Sequence, residues 1–257
     1  MLGLTPAQFQ TFLLEFIRVS SMLFVFPIFS GPQIPMQLRL GFGLVISFLL
    51  YHLLPTVKLE NGLFDLALAG VCQLVLGLTV GYVASLVFAG IQFAGELIDL
   101  QIGFAVANVL NPQTQQNITI IGEFQLAVAT LVFLVTNSHY FLIQGIAGSF
   151  NLVPLPWIHL DPSVGGNVVL FFTQAFLVAF KIAAPAVFSL LITNVALAFM
   201  AKVAPQMNIF VVGLPIQVSV GLVMMAVSIP LIGTVGPELF QNVSQQMDAT
   251  MRGMRLP

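Results

Sequence analysis

Residues 63–107 read LFDLALAGVCQLVLGLTVGYVASLVFAGIQFAGELIDLQIGFAVA, and residues 108–119 follow as NVLNPQTQQNIT. The first stretch carries no charge except Asp65, Glu96 and Asp99. The second holds eight amide or hydroxyl side chains and no charge at all. A loop in water usually carries Lys, Glu or Asp. A segment in lipid cannot leave its amides unpaired, since each unsatisfied polar group costs roughly several kcal/mol there. A polar but neutral loop at the end of a long apolar run suits a protein-lined, partly wet cavity at membrane depth.

The apolar run itself is too long for one crossing. At about 1.5 Å per residue it overshoots a bilayer core of about 30 Å. It is expected to bend or to leave the membrane rather than to span it once. Gly70, Gly77, Gly81, Gly90, Gly95 and Gly103 stud it and offer close-packing surfaces and places to bend.

Working outward, further apolar runs fall near 9–29, 40–54, 124–150, 168–200 and 209–233. A span needs about 20 apolar residues; residues 40–54 fall short and the other four qualify. Prolines punctuate the chain. Pro27, Pro32 and Pro35 break it after the first run, and Pro55 ends the second. Pro154, Pro156 and Pro162 mark a junction, Pro185 is expected to kink the fifth run, and Pro205 and Pro215 frame the start of the sixth. The fold class is therefore all-α, a polytopic membrane-type protein of kinked helical hairpins. Broken helices are costly when exposed to lipid, so many segments need protein cover, and partner subunits are the natural supply.

Composition agrees. The 257 residues are 58% hydrophobic and only 6% charged, with a mean hydropathy of +1.04. Soluble domains carry about 25% charged residues, so an ordinary globular enzyme is excluded. A net charge of -2 gives no electrostatic case for nucleic acid. The single cysteine, Cys72, excludes an internal disulfide framework and a Cys-rich metal site, and reads as an inert buried thiol. No cleavable signal peptide is expected, because no Lys or Arg precedes the first apolar run. Of Arg39, Lys58, Lys202, Arg252 and Arg255, simple alternation puts three on the side of the N-terminus and two on the other, too balanced to orient the chain.

Candidate chemistry is sparse. Glu15 and Arg18 lie three apart and can pair on one helical face. Glu96 and Asp99 also share a face, close to Gln101. Intramembrane carboxylates mark functional sites by default, and two readings stay open: a proton or ion relay, or a structural contact to partner chains or to water beside the polar loop. Lys181, the only charge deep within a late run, is a mate for them on charge grounds alone, and snorkelling to an interface is its other reading. His52, His139 and His159 all lie near segment ends and read as interfacial packing. Met224 and Met225 either line an adaptable seal or fill helix contacts. The sequence has no His-Glu-x-x-His pair, no Gly-x-Ser-x-Gly elbow and no phosphate-cradling loop. No cofactor, metal or catalytic residue is expected. The tail from Pro237 onward reads as an amphipathic helical continuation.

Several stretches together resemble the FliR family, the R-type membrane component of the flagellar type III export apparatus. They are Phe16-Ile-Arg-Val, Phe26-Pro-Ile-Phe, Ile34-Pro, Gly90-Ile-Gln-Phe-Ala-Gly95, Asp99-Leu-Gln-Ile-Gly103, Asn111-Pro112 and, most fully, Ala204-Pro-Gln-Met-Asn-Ile-Phe-Val-Val-Gly-Leu-Pro215. The resemblance covers essentially the whole length. The family commonly has Asp-Pro where this chain has Asn111-Pro112.

The resemblance implies a non-enzymatic subunit of a hetero-oligomeric pore complex with P-type and Q-type export proteins and further export-gate membrane components. Unfolded protein substrates pass through that pore. It implies a P-like part over 1–160, with a plug loop within 108–122, and a Q-like hairpin and tail over 161–257. The plug residues would be Asn108, Asn111, Pro112, Gln113, Thr114, Gln115, Gln116 and Asn117. Pro205, Gln206, Asn208 and Pro215 carry the family motif. The implied location is the bacterial inner membrane, within the flagellar basal body. Two rivals stay open: the virulence injectisome counterpart of the family, and a standalone secondary transporter using Glu96 and Asp99 as its coupling site.

Overall fold

The computed structural model describes residues 5–31, 34–52, 54–57, 59, 62–103 and 119–256. The described residues form eight helices. They are α1 (Pro6–Val25), α2 (Pro27–Ser30), α3 (Met36–Tyr51), α4 (Leu63–Ile102), α5 (Ile120–Val135), α6 (His139–Leu152), α7 (Pro162–Val203) and α8 (Ile209–Arg252). The fold is all-α and of membrane type. By length and composition α4, α7 and α8 are each able to cross a bilayer, and α3 is a shorter apolar helix.

Local chemistry sets the first boundaries. Thr5 caps α1 in a capping box: its hydroxyl accepts from the Gln8 amide while the Gln8 side chain accepts from the Thr5 amide. Phe26, preceding Pro27, is held extended at φ −70° and ψ 128°, and α1 stops there.

Residues 63–102 form one unbroken helix of 40 residues, about 60 Å along its path, too long to stay within a bilayer core, which is the second of the two expected outcomes. It ends where Gly103 adopts φ +91° and its amide closes onto the Asp99 carbonyl. One expectation needs correction: residues 124–150 do not form one uninterrupted helix. They are cut at 136–138, where Asn137 takes φ +56°, into α5 and α6. The Thr-Asn-Ser sequence there offers the backbone local hydrogen-bonding alternatives to the helix. Pro185 lies inside α7 as expected, Pro215 lies in the second turn of α8, and α8 continues through Pro230 and Pro237. Each proline removes one ladder hydrogen bond, and in an apolar setting with no water to compete the remaining ladder holds.

The chain packs as two compact units. The first comprises Met1–Leu86, Ser138–Phe172 and Phe240–Pro257. Its core includes Leu14, Val19, Met22, Leu76, Val80 and Met247. Glycine lets α4 approach α1 to backbone contact: a Cβ on Gly77 would lie 2.6 Å from the Arg18 carbonyl, and one on Gly81 2.7 Å from the Met22 carbonyl. Arg18 is fully buried in this unit. Its Nε donates to Gln73 Oε1 at 2.7 Å and its Nη1 to the carbonyls of Ser149 and Val153 at 3.0 and 2.8 Å. The guanidinium also lies 4.4 Å from the Phe150 ring centroid.

The same unit joins the start of α7 to the end of α8. The amides of His159 and Asp161 donate to the Met254 and Gly253 carbonyls, and Asn167 donates to the Ala249 carbonyl. The Asp161 carboxylate accepts from the Ser163 amide at 2.7 Å, and hydrogen bonds from Ser163 hold it below the usual carboxylate range.

The second unit comprises Val87–Asn137 and Thr173–Leu239. Phe88 meets Phe133 edge-on, Phe93 stacks on Phe176 at 4.8 Å, and Gln125 donates to Ser228 in the interior. Gln217 on α8 donates to Asn194 on α7.

Burial is uneven among the long helices. In α4, 67% of the most apolar stretch is buried, against 28% in α7 and 17% in α8. The last two therefore expose long apolar faces.

Candidate functional site

The last turns of α4 and the first turn of α5 form the most developed polar site in the second unit. Asp99 sits on α4 with 4% of its surface exposed. Its carboxylate accepts from the Ile121 amide at 3.0 and 3.3 Å and from the Gly122 amide at 3.4 Å. The first amides of a helix lack partners within it. Thr119, at the cap position of α5, makes no side-chain cap. Asp99 supplies that cap from another helix, placing a negative charge at the positive end of the α5 dipole.

Gly95 makes this approach possible. A Cβ there would lie 2.6 Å from Gly122 Cα, so only glycine fits. Glu96, half-buried, lies beside Gly122, and Glu123 is exposed on the first turn of α5. Among the described residues no Lys or Arg pairs with Glu96, Asp99 or Glu123. Gln101 is half-buried on the last turn of α4. This site brackets the polar loop. Asn108, Asn111, Pro112, Gln113, Thr114, Gln115, Gln116 and Asn117 lie outside the described residues. Ile120, Ile121 and Gly122, at the end of the expected loop region, belong to α5.

The structure brings Glu96 and Asp99 together as their spacing implies, but it does not bring them a cation. Lys181 is exposed on α7, with no partner among the described residues. Glu15 and Arg18 do not form the ion pair that their spacing allows. Three acceptors on α4 and α6 and in the following loop draw the guanidinium away, and both Glu15 carboxyl oxygens stay buried without a hydrogen bond.

Pro205, Gln206 and Asn208 lie exposed in the connection between α7 and α8, and Pro215 lies in the second turn of α8. The Ala204 carbonyl accepts from the Met207 amide, and the Asn208 carbonyl accepts from Val211 and Val212. The most distinctive stretch of the sequence is therefore a tight helical-hairpin turn. Leu197, Met200, Met207 and Val212 close around it.

The family "Bacterial export proteins, family 1" matches residues 9–243. A flagellar biosynthetic protein FliR of Bacillus subtilis is 32% identical over 247 residues, covering 93% of each chain. FliR of Aquifex aeolicus is 32% identical over 96% of each chain, and FliR of Escherichia coli is 31% identical over 95%. The chain belongs to the FliR family of bacterial export proteins. Membership makes it a membrane component of flagellar protein export rather than an enzyme. Within the FliR frame, the resemblance motif at 204–215 has a structural reading as the hairpin turn.

Two buried polar contacts escaped sequence reasoning. The spacing of Glu96 and Asp99 was legible, but the partners of Asp99 are backbone amides of a helix beyond the loop. Gln73 carries no pattern that would link it to Arg18. Its only sequence signal is an amide side chain inside an apolar run.

Proposed function

We propose that the chain is the R-type subunit of a flagellar export gate in the bacterial inner membrane, within the basal body. It assembles there with P-type and Q-type export proteins around a pore that passes unfolded flagellar subunits. Residues 1–160 form the P-like part, and 161–257 form the Q-like hairpin and tail. The loop carrying Asn108 to Asn117 plugs the pore, and Glu96, Asp99 and Gln101 hold its base.

The observation that carries this reading is the family match over residues 9–243, joined to helices that no bilayer can cover. α7 and α8 have 42 and 44 residues, about 63 and 66 Å, against a hydrocarbon core of about 30 Å. Their exposed apolar faces need protein as well as lipid. The matched relatives are flagellar, which favours the flagellar reading over the injectisome counterpart. Asp99 spends its carboxylate on two backbone amides, which favours a structural role over an ion-coupling site.

The test is deletion of Gln113–Asn117 in the assembled complex. The account expects membranes carrying the shortened chain to leak ions or small molecules at rest. An unchanged seal in a correctly assembled complex contradicts the plug.

A further inference from the structure

Lys181 lies near the middle of α7, a helix whose most apolar stretch is only 28% buried. Its side chain is exposed and has no partner among the described residues. Pro185, four residues on, has no N–H to give, so the Lys181 carbonyl also lacks its ladder donor. An ammonium and a carbonyl without its usual ladder donor thus stand together on a mostly apolar helix.

The surrounding face has a regular period. Leu177, Lys181, Ala184, Phe188, Leu191 and Val195 alternate four and three apart, and every one is exposed. They lie opposite the buried stripe that contains Ala179, Ile182, Ala186 and Leu190. A seam repeating every 3.5 residues is what a second helix needs to follow α7 in left-handed packing.

No placement of the bilayer satisfies this face alone. If hydrocarbon is centred on Lys181, an unpaired ammonium lies in lipid. If hydrocarbon covers the uncharged stretch on one side only, 182–201 or 162–180, Lys181 reaches the interface, but exposed apolar residues of the other side, Leu170 and Phe172 or Phe188, Leu191 and Val195, then stand beyond it. Protein beside Lys181 resolves both cases, and only an acidic partner resolves the charge.

We propose that this face of α7 seats one α-helix from a partner chain, apolar along its length except for a carboxylate level with Lys181. The inference rests on the reading that the chain works inside a multi-chain export gate, and it names the chemistry of one contact there.

The test uses the native complex, with a photoreactive amino acid in place of Leu177, Phe188 or Val195 and charge variants at Lys181. All three positions should cross-link to one helix of the same export protein. Lys181→Arg should keep the complex. Lys181→Met should lower the yield of co-purified partner about thirtyfold or more, and neutralising one Asp or Glu of the cross-linked helix should restore it. Adducts to lipid alone, or a Lys181→Met complex recovered at the parental yield, overturn the proposal. If the parent chain brings its partners but these positions cross-link to none of them, only this proposal falls. If the parent chain purifies without partners, the multi-chain reading falls and this proposal with it.

Discussion

Arg18 Nε and Gln73 Oε1 meet at 2.7 Å, and neither side chain is exposed. The pair ties α1 to α4 inside the first unit. Gln73 also donates to the Pro156 carbonyl at 2.6 Å, and Arg18 reaches two carbonyls at the end of α6 and just beyond it. A buried guanidinium is costly unless its donors are paired; here Nε and Nη1 are paired, and Nη2 has no hydrogen-bond partner among the described residues.

Removing the guanidinium should therefore hurt more than removing an apolar neighbour. Arg18→Met leaves the Gln73 oxygen and the Val153 carbonyl without the Arg18 donor, at about 1–3 kcal/mol for each buried orphan, while the Ser149 carbonyl keeps the Val153 amide. Arg18→Lys keeps the charge but not the planar fork, and should recover part of the loss. Limited proteolysis of detergent-solubilised protein checks this. The expected order of resistance is parent, Arg18→Lys, Arg18→Met, and equal resistance of parent and Arg18→Met contradicts it.

Asp99 makes a graded prediction. Asp99→Asn keeps one acceptor oxygen for the Ile121 and Gly122 amides, whereas Asp99→Ala keeps none. Loss of a cap costs about 1 kcal/mol. Amide hydrogen exchange at Ile121 and Gly122 should speed up modestly in the first variant and strongly in the second. Unaltered protection in Asp99→Ala would mean that the carboxylate is not the cap.

The close approach of α1 and α4 predicts a contrast between glycines. Gly81→Val drives a side chain into the Met22 backbone, and overpacking of this kind costs about 1–3 kcal/mol. Gly165→Ala, on the first turns of α7, meets nothing within 4 Å. The thermal midpoint should fall for Gly81→Val and hold or rise for Gly165→Ala, where alanine is the better helix former. A midpoint for Gly81→Val equal to the parent would show that the helices do not pack as closely as described.

The all-α membrane fold was legible because its causes are one-dimensional. Apolar run length, the charge shortage and the prolines between runs mark the long helices and the junction before α7. The limits of α4 were less legible, since nothing in its composition tells a broken run from one unbroken helix of 40 residues. The break at 136–138 was missed because the flanking runs stay apolar and only three small polar residues interrupt them. At the site, the spacing of Glu96 and Asp99 put both on one face. The partners of Asp99 were hidden because a backbone amide has no sequence signature. Glu15 and Arg18 show the converse: spacing allowed a local pair, and acceptors distant in the chain outcompeted it.

The central claim is that this chain functions only within a multi-chain export gate. Affinity purification of the tagged chain from native membranes, followed by identification and sizing of the complex, tests it most directly. The account predicts a large complex containing P-type and Q-type export proteins, with the chain unstable or aggregated when produced alone. A monodisperse, folded monomer that purifies without partners would contradict it.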